Sequence, residues 1–387
     1  MKVLFLATSF KNWIYDTLFQ EQKAIADIFD DAVFYGPGYQ YNTNYVPDII
    51  TEIYGEDQPD LIFSYISAHR LVGEPLGDSE MNQFKIPKNL RQFPTGLDKV
   101  NITKVLWVND FWKCSKQKWD RIILGLGFDY VIATYNLPFV RQDAFFRFFS
   151  PEARKRAVFI PWPRAMNEDL FIPHRDTPKE FDLTILGAMD KKMYPFRVYM
   201  NKKLKKQKKY KYFTQDHPGY KYFTDDSKSL FGDNYRKALN RTKIFLSCTS
   251  RFKIPFIKIY EVLASNSLLM CDKPNGAAQI YLKDGYNYVS VNKWNLMKKV
   301  KYYLENDDKR EEIIRNANET FEQYHKVQIR AEQLNTILKD ISTKKKDSMI
   351  APQIAKGKIS TGLYRKNRVY EIILIMKYFI TRLLEKT

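Results

Sequence analysis

Six short runs in the first 165 residues, at 3–7, 32–35, 61–65, 105–108, 130–133 and 158–161, are apolar without alternation. A strand with one face in water alternates apolar and polar residues, so runs of this kind describe strands buried on both faces. A parallel sheet covered by crossover helices buries its strands in that way. The intervening segments agree: between the first two runs, Trp13, Ile14, Leu18, Ala24, Ile25 and Ile28 recur at helical spacing. Residues 1–165 therefore predict one doubly wound, Rossmann-like α/β domain.

The proline-punctuated stretch from Pro161 and Pro163 to Pro173 cannot continue a helix and reads as a linker. Beyond it the pattern restarts. Strand-like runs at 183–186, 210–214, 244–247, 268–271 and 288–291 alternate with helical segments at 235–239, 257–264 and 294–304, followed by one long helix from 309 to about 338. This second Rossmann-like domain spans 166–343. The two domains are expected to face each other across a cleft, because such sheets bind ligands at the carboxyl ends of their strands. Residues 344–387 stand outside the alternation and carry eleven Lys+Arg against three acids, with an apolar stripe from Ile372 through Ile375, Met376 and Phe379 to Leu383. This helical extension packs back on the first domain, or else lies as a basic amphipathic helix on an anionic membrane.

Charge narrows the partners. The 63 Lys+Arg against 44 Asp+Glu leave +19, which calls for nucleic acid, an acidic membrane surface or a phosphorylated substrate. Residues 201–212 alone hold seven lysines. Three cysteines at wide spacings, Cys114, Cys248 and Cys271, support neither a disulfide framework nor a zinc cluster and suit a reducing, cytoplasmic compartment. No run reaches the ~18 apolar residues that span a bilayer, and the apolar start at 3–7 is shorter than a signal-peptide core. The histidines His69, His174, His217 and His325 have no metal-binding spacing, and Asp225 and Asp226 are adjacent rather than spaced, so no metal is expected.

Most of the chemistry lies in 231–291, which reads YRKALNRTKIFL, then KIYEVLASNSLLM, then DKPNGAAQIYLKDGYNYVSV. In this order the phrases resemble the CgeB-like branch of the group 1 glycosyltransferases. LTILGAMDKKMYPFR at 183–197 and IPWPRAMNEDLFIP at 160–173 extend the resemblance, and FYGPGY at 34–39 is its one phrase in the first domain. The resemblance implies the GT-B fold and transfer of a sugar from a nucleoside diphosphate sugar (UDP-, GDP- or dTDP-linked) to a glycan or other hydroxyl acceptor, with no metal or cofactor. Glu261 matches the carboxylate that accepts hydrogen bonds from the ribose, a task suited to two oxygens facing two adjacent hydroxyls. Without the resemblance it is an exposed helix glutamate.

Eight positions earlier, where related enzymes carry a second glutamate, stands Lys253; it meets the diphosphate or is simply solvated. Asn275, Gly276 and Ala277 lie between a strand and a helical stretch, so their amides can point at a phosphate or form a plain turn. Gly187 closes the first strand of the second domain and permits close backbone approach, with Lys191, Lys192 and Arg197 as cations for the leaving diphosphate. Arg197 has the best positional match. His217, just after the strand at 210–214, contacts nucleotide or sugar at the cleft edge or holds a turn.

A base for the acceptor hydroxyl must come from a strand end of the first domain. Asp110, after the strand at 105–108, is the first choice, since Trp107, Phe111 and Trp112 could form a sugar platform around it; the alternative is a helix-capping aspartate. His69, after the strand at 61–65, is the second. Two rival functions follow from the same residues: a glycosyltransferase acting on nucleic acid, given the charge, and a binding or scaffold protein that has lost its chemistry, given Lys253.

Overall fold

The computed structural model describes residues 1–13, 16–134, 139–215, 217 and 232–343. The basic extension at 344–387 and the pair Asp225 and Asp226 lie outside the described residues. In the first domain β1 (Val3–Ala7), β2 (Ala32–Tyr35), β3 (Leu61–Tyr65), β4 (Thr103–Val108), β5 (Tyr130–Ala133) and β6 (Val158–Pro161) form a parallel sheet in the order β2-β1-β3-β4-β5-β6. Successive side chains enter opposite cores. Leu4, Leu6, Ile62, Leu106 and Val131 face one, while Val3, Phe5, Phe63, Trp107 and Ile132 face the other, which is why the strands carry no polar alternation. Helices α1 (Asp16–Ile28), α2 (Val46–Tyr54), α3 (Asp78–Gln83), α4 (Lys116–Asp120), α5 (Gln142–Phe148) and α6 (Pro151–Arg156) connect these strands.

The second domain repeats the plan. Its strands β7 (Phe181–Leu186), β8 (Tyr212–Gln215), β9 (Thr242–Leu246), β10 (Leu268–Cys271) and β11 (Val289–Ser290) pair in parallel in the order β11-β10-β9-β7-β8. Its helices are α7 (Pro195–Leu204), α8 (Gly232–Asn240), α9 (Ile257–Leu263), α10 (Leu296–Glu305), α11 (Asp307–Tyr324) and α12 (Val327–Ser342).

The long helix expected from 309 to about 338 is two helices. Its periodicity is continuous, but the apolar stripe serves two cores: Ile313, Ile314, Ala317 and Phe321 face the second domain, whereas Ala331, Leu334, Leu338 and Ile341 face the first. The chain turns between them. Lys326 adopts extended geometry, and the linker residue Met166 exchanges backbone hydrogen bonds with both sides of the break, to His325 O at 2.9 Å and from Val327 N at 3.0 Å. Helix α12 thereby crosses to pack on α1.

A polar hinge sits at this crossing. Arg330 is fully buried, donating from Nε to Pro163 O at 2.9 Å and from Nη2 to His325 Nδ1 at 3.1 Å, while His325 Nε2 lies 3.1 Å from Ile280 O. Because arginine only donates, His325 is the neutral tautomer with its proton on Nε2. Two further contacts join the domains. Phe252, Ile254 and Phe256 enter the first domain's core, and Phe139 enters the second domain's core.

Candidate active site

At the carboxyl end of β7 the chain turns at Gly187, whose φ of +117° belongs to glycine. A Cβ built there would stand 2.9 Å from Lys258 Cε and 3.0 Å from Arg197 Nη1. Three elements thus converge on one spot: the β7 turn, α7 with Arg197, and α9 with Lys258. Arg197 is 3% exposed, lies over the Tyr194 ring at 4.4 Å, and donates from Nη1 to Ala188 O at 3.0 Å. Its Nε has no partner among the described residues.

Lys258 and Glu261 are one helical turn apart on α9, so they share a face. Glu261 is 4% exposed. The Tyr235 hydroxyl on α8 donates to Glu261 Oε2 at 2.5 Å, Lys258 Nζ donates to Tyr235 Oη at 3.1 Å, and Lys258 Nζ lies 3.8 Å from Glu261 Oε2. Burial pushes the Lys258 ammonium down, and the Glu261 carboxylate pulls it back up. Half-buried His217 completes the group: burial first, then Lys258 and Arg197, push its imidazole down to about 4, so it is neutral at neutral pH. The result is a desolvated floor with two cations and one carboxylate, a net positive site at the strand ends.

Of the residues picked from sequence, Gly187, Arg197, His217 and Glu261 are brought together. Lys191 stands exposed on the same turn. Lys253 adopts a left-handed φ of +60° and pairs with Asp272 at 2.8 Å, which in turn accepts from Thr249 N at 2.8 Å. Asn275 N donates to Lys253 O at 2.8 Å, and Gly276, at φ +64°, is covered by Phe139, whose Cδ1 would lie 2.3 Å from an added Cβ. Ala277 leads into a single 3₁₀ turn, Ala278–Ile280, rather than the expected helix.

On the first domain, Asp110 precedes the 3₁₀ turn Phe111–Lys113 and pairs with Lys113 at 3.1 Å. His69 lies on the turn Ala68–Val72 at the end of the neighbouring strand, its imidazole pushed down by burial. The expected sugar platform is absent among the described residues. Trp107 is buried in the core, stacked on Tyr65 at 4.4 Å, because it points to the α1 and α12 face; Phe111 is also core, and Trp112 stacks on Phe252 across the domain interface. Sequence reasoning missed Lys258 and Tyr235, although the three-residue spacing from Lys258 to Glu261 was a usable signal. A cavity of about 660 Å³ lies elsewhere, beyond β10 and lined by Tyr281, Tyr286 and Tyr324; it includes none of the converging charges.

Among the described residues, no three His, Cys, Asp or Glu side chains group as a metal site, and no helix is long and apolar enough to cross a membrane.

Two parallel-sheet domains joined by helix α12, which crosses from the second to the first, form the GT-B architecture. Comparison agrees. The chain shares this fold with sucrose-phosphate synthase from Thermosynechococcus elongatus (TM-score 0.54, 9% identity, 89% of this chain and 99% of that one). It shares it also with Anabaena Alr3699/HepE in complex with UDP (TM-score 0.53, 14% identity, 88% and 100%), and with the same protein in complex with UDP-glucose (TM-score 0.52, 13% identity, 88% and 100%). Residues 170–336 match the family model described as glycosyl transferase-like. No curated protein matches the chain.

Proposed function

We propose that the protein is a glycosyltransferase of the CgeB-like branch that takes a sugar from a nucleoside diphosphate sugar and gives it to a hydroxyl acceptor, without a metal. The observation that carries this reading is the closure of Arg197 and Lys258 on the Gly187 turn. Two cations held in a desolvated site attract the diphosphate in the ground state and stabilise the charge that grows on it as the glycosidic bond breaks. Their positions are set beforehand by the fold. Glu261, oriented by Tyr235, accepts from the ribose hydroxyls, and neutral His217 lines the nucleotide side. The glycosyl transferase-like match over 170–336 and the UDP and UDP-glucose complexes of the Anabaena protein support a nucleotide-sugar donor, UDP-linked in the first instance.

The acceptor binds against the first domain, where Asp110 takes the proton of the attacking hydroxyl. The neutral imidazole of His69 is the second choice. Titration calorimetry with UDP, GDP, dTDP and their glucose conjugates tests the donor assignment. Saturable binding of a nucleoside diphosphate, with slow hydrolysis of its sugar conjugate, is the expected result; absence of binding to all of them overturns it.

A further inference from the structure

The outer face of the second domain carries a feature that donor binding does not use. Helix α7 leaves the carboxyl edge of the sheet at Pro195 and ends near its opposite edge. From there to the start of β8, seven lysines between 202 and 211 are all exposed, and no acid interrupts them. Among the described residues, the acids beside them have other side-chain partners: Asp182 pairs with Lys243 at 2.8 Å while its second oxygen accepts from Lys211 N at 3.0 Å, and Glu180 pairs with Arg241. Alongside α7 stands Trp294, 93% exposed. Its exposure is built into the loop. Asn292 Oδ1 accepts from Trp294 N at 2.8 Å and Asn295 N at 3.0 Å, and the Tyr199 hydroxyl on α7 donates to Lys293 O at 3.2 Å. The indole is therefore held out from a face that also carries Lys293 over the Tyr199 ring and Phe196 stacked on Tyr199 at 6.0 Å.

An exposed indole costs free energy in water, and a run of lysines with no ion pair among the described residues attracts counter-ions. One environment satisfies both: the boundary of a bilayer with anionic headgroups, where indoles sit at headgroup depth and ammonium groups meet lipid phosphates. A nucleic acid is the poorer fit. Its recognition draws on arginine forks and rows of stacking rings, whereas this face offers lysines and one projecting indole. We propose that the α7 face rests on an anionic phospholipid bilayer, with the lysines from 202 to 211 over the headgroups and Trp294 in the interface.

Co-sedimentation of the full chain tests this, using vesicles of phosphatidylcholine alone and of phosphatidylcholine mixed with phosphatidylglycerol. Binding is expected only to the mixed vesicles, weakening as salt rises. Each lysine near the surface is worth about fivefold in partition, so K202Q/K203Q/K205Q/K206Q lowers it more than about 100-fold. W294S lowers it independently. Both variants change exposed side chains, so the melting temperature and the turnover of soluble nucleotide sugar stay at wild-type values. Three results overturn the proposal: no binding to mixed vesicles, binding unchanged by both variants, or vesicles ignored while the same lysines are needed to bind duplex DNA.

Discussion

Lys258→Met separates a donor site from a structural charge cluster, because only a donor site loses diphosphate affinity while keeping nucleoside affinity. In the free protein Lys258 Nζ has Tyr235 Oη at 3.1 Å and Glu261 Oε2 at 3.8 Å, beside a second buried cation, Arg197. The cost of taking the ammonium out of water, visible in its lowered pKa, offsets most of that pairing. Methionine fills a similar volume, and Glu261 keeps the hydrogen bond from Tyr235. Removing one partner still leaves the buried Glu261 carboxylate short of a counter-charge, so stability should fall by about 3 kcal/mol, or roughly 6–12 °C in melting temperature for a domain of this size. The loss of binding should be selective. A charge-assisted bond to phosphate is worth about 1.5–3 kcal/mol, so affinity for a nucleoside diphosphate falls about 10- to 150-fold. The assay is titration calorimetry with nucleoside, monophosphate and diphosphate, beside scanning calorimetry of the free variant. Nucleoside affinity should hold while diphosphate affinity falls, and Lys191→Met, on an exposed lysine of the same turn, should do much less. A stable Lys258→Met protein that binds diphosphate as tightly as wild type refutes the reasoning.

Glu261→Gln keeps the shape but loses the charge, and should weaken nucleotide binding about 10-fold or more by calorimetry, with the same loss for a nucleoside as for its diphosphate. Gly187→Ala forces a side chain into the glycine region and onto Lys258 and Arg197; about 1–3 kcal/mol of strain is expected, read as a lower melting temperature together with lost binding. Activity should survive EDTA, and recovery of lost activity on adding Mn²⁺ or Mg²⁺ would show that a metal carries part of the diphosphate charge. The His217 ring should titrate at about 4 by NMR and move upward when a diphosphate neutralises Lys258 and Arg197. Since the unfolded imidazole titrates near 6.5, this group's contribution to stability is present above that pH and is lost as pH falls towards 4. Titration at 6.5 with and without nucleotide would place His217 outside the site.

The parallel sheets were legible because burial on both faces leaves a direct mark: a strand such as Leu61–Tyr65 cannot be half-buried with that composition. Strand ends were less so. β11 is only Val289–Ser290, shorter than the apolar run around it, and Val291, just past its end, is a core residue that donates to Cys271 O of β10 at 2.9 Å. The break at His325 was illegible for a related reason. Periodicity reports that a residue is buried but not against which partner, and α11 and α12 have one continuous stripe facing two different cores.

The same blindness shaped the site. Trp107, Phe111 and Trp112 stand next to Asp110 in sequence, yet strand alternation sends Trp107 into one core, while the other two rings pack towards the loop at 252–256. Phe111 and Trp112 do touch, at 5.2 Å between ring centroids, but sequence proximity to Asp110 does not gather the three rings on one face. Lys253 was judged by its place in a motif, but Asp272 arrives from the end of β10 and pairs with it, a contact fixed by the sheet order. The converging cations show the converse. Lys258 and Arg197 are sixty-one positions apart and meet because β7 and β9 are neighbours, which carries the turn after β7 up against the helix that follows β9. A positive, water-poor floor at the strand ends is thus a property of the strand order. Any substitution that shifts α9 along the sheet should disturb nucleotide binding even where it touches none of the charges.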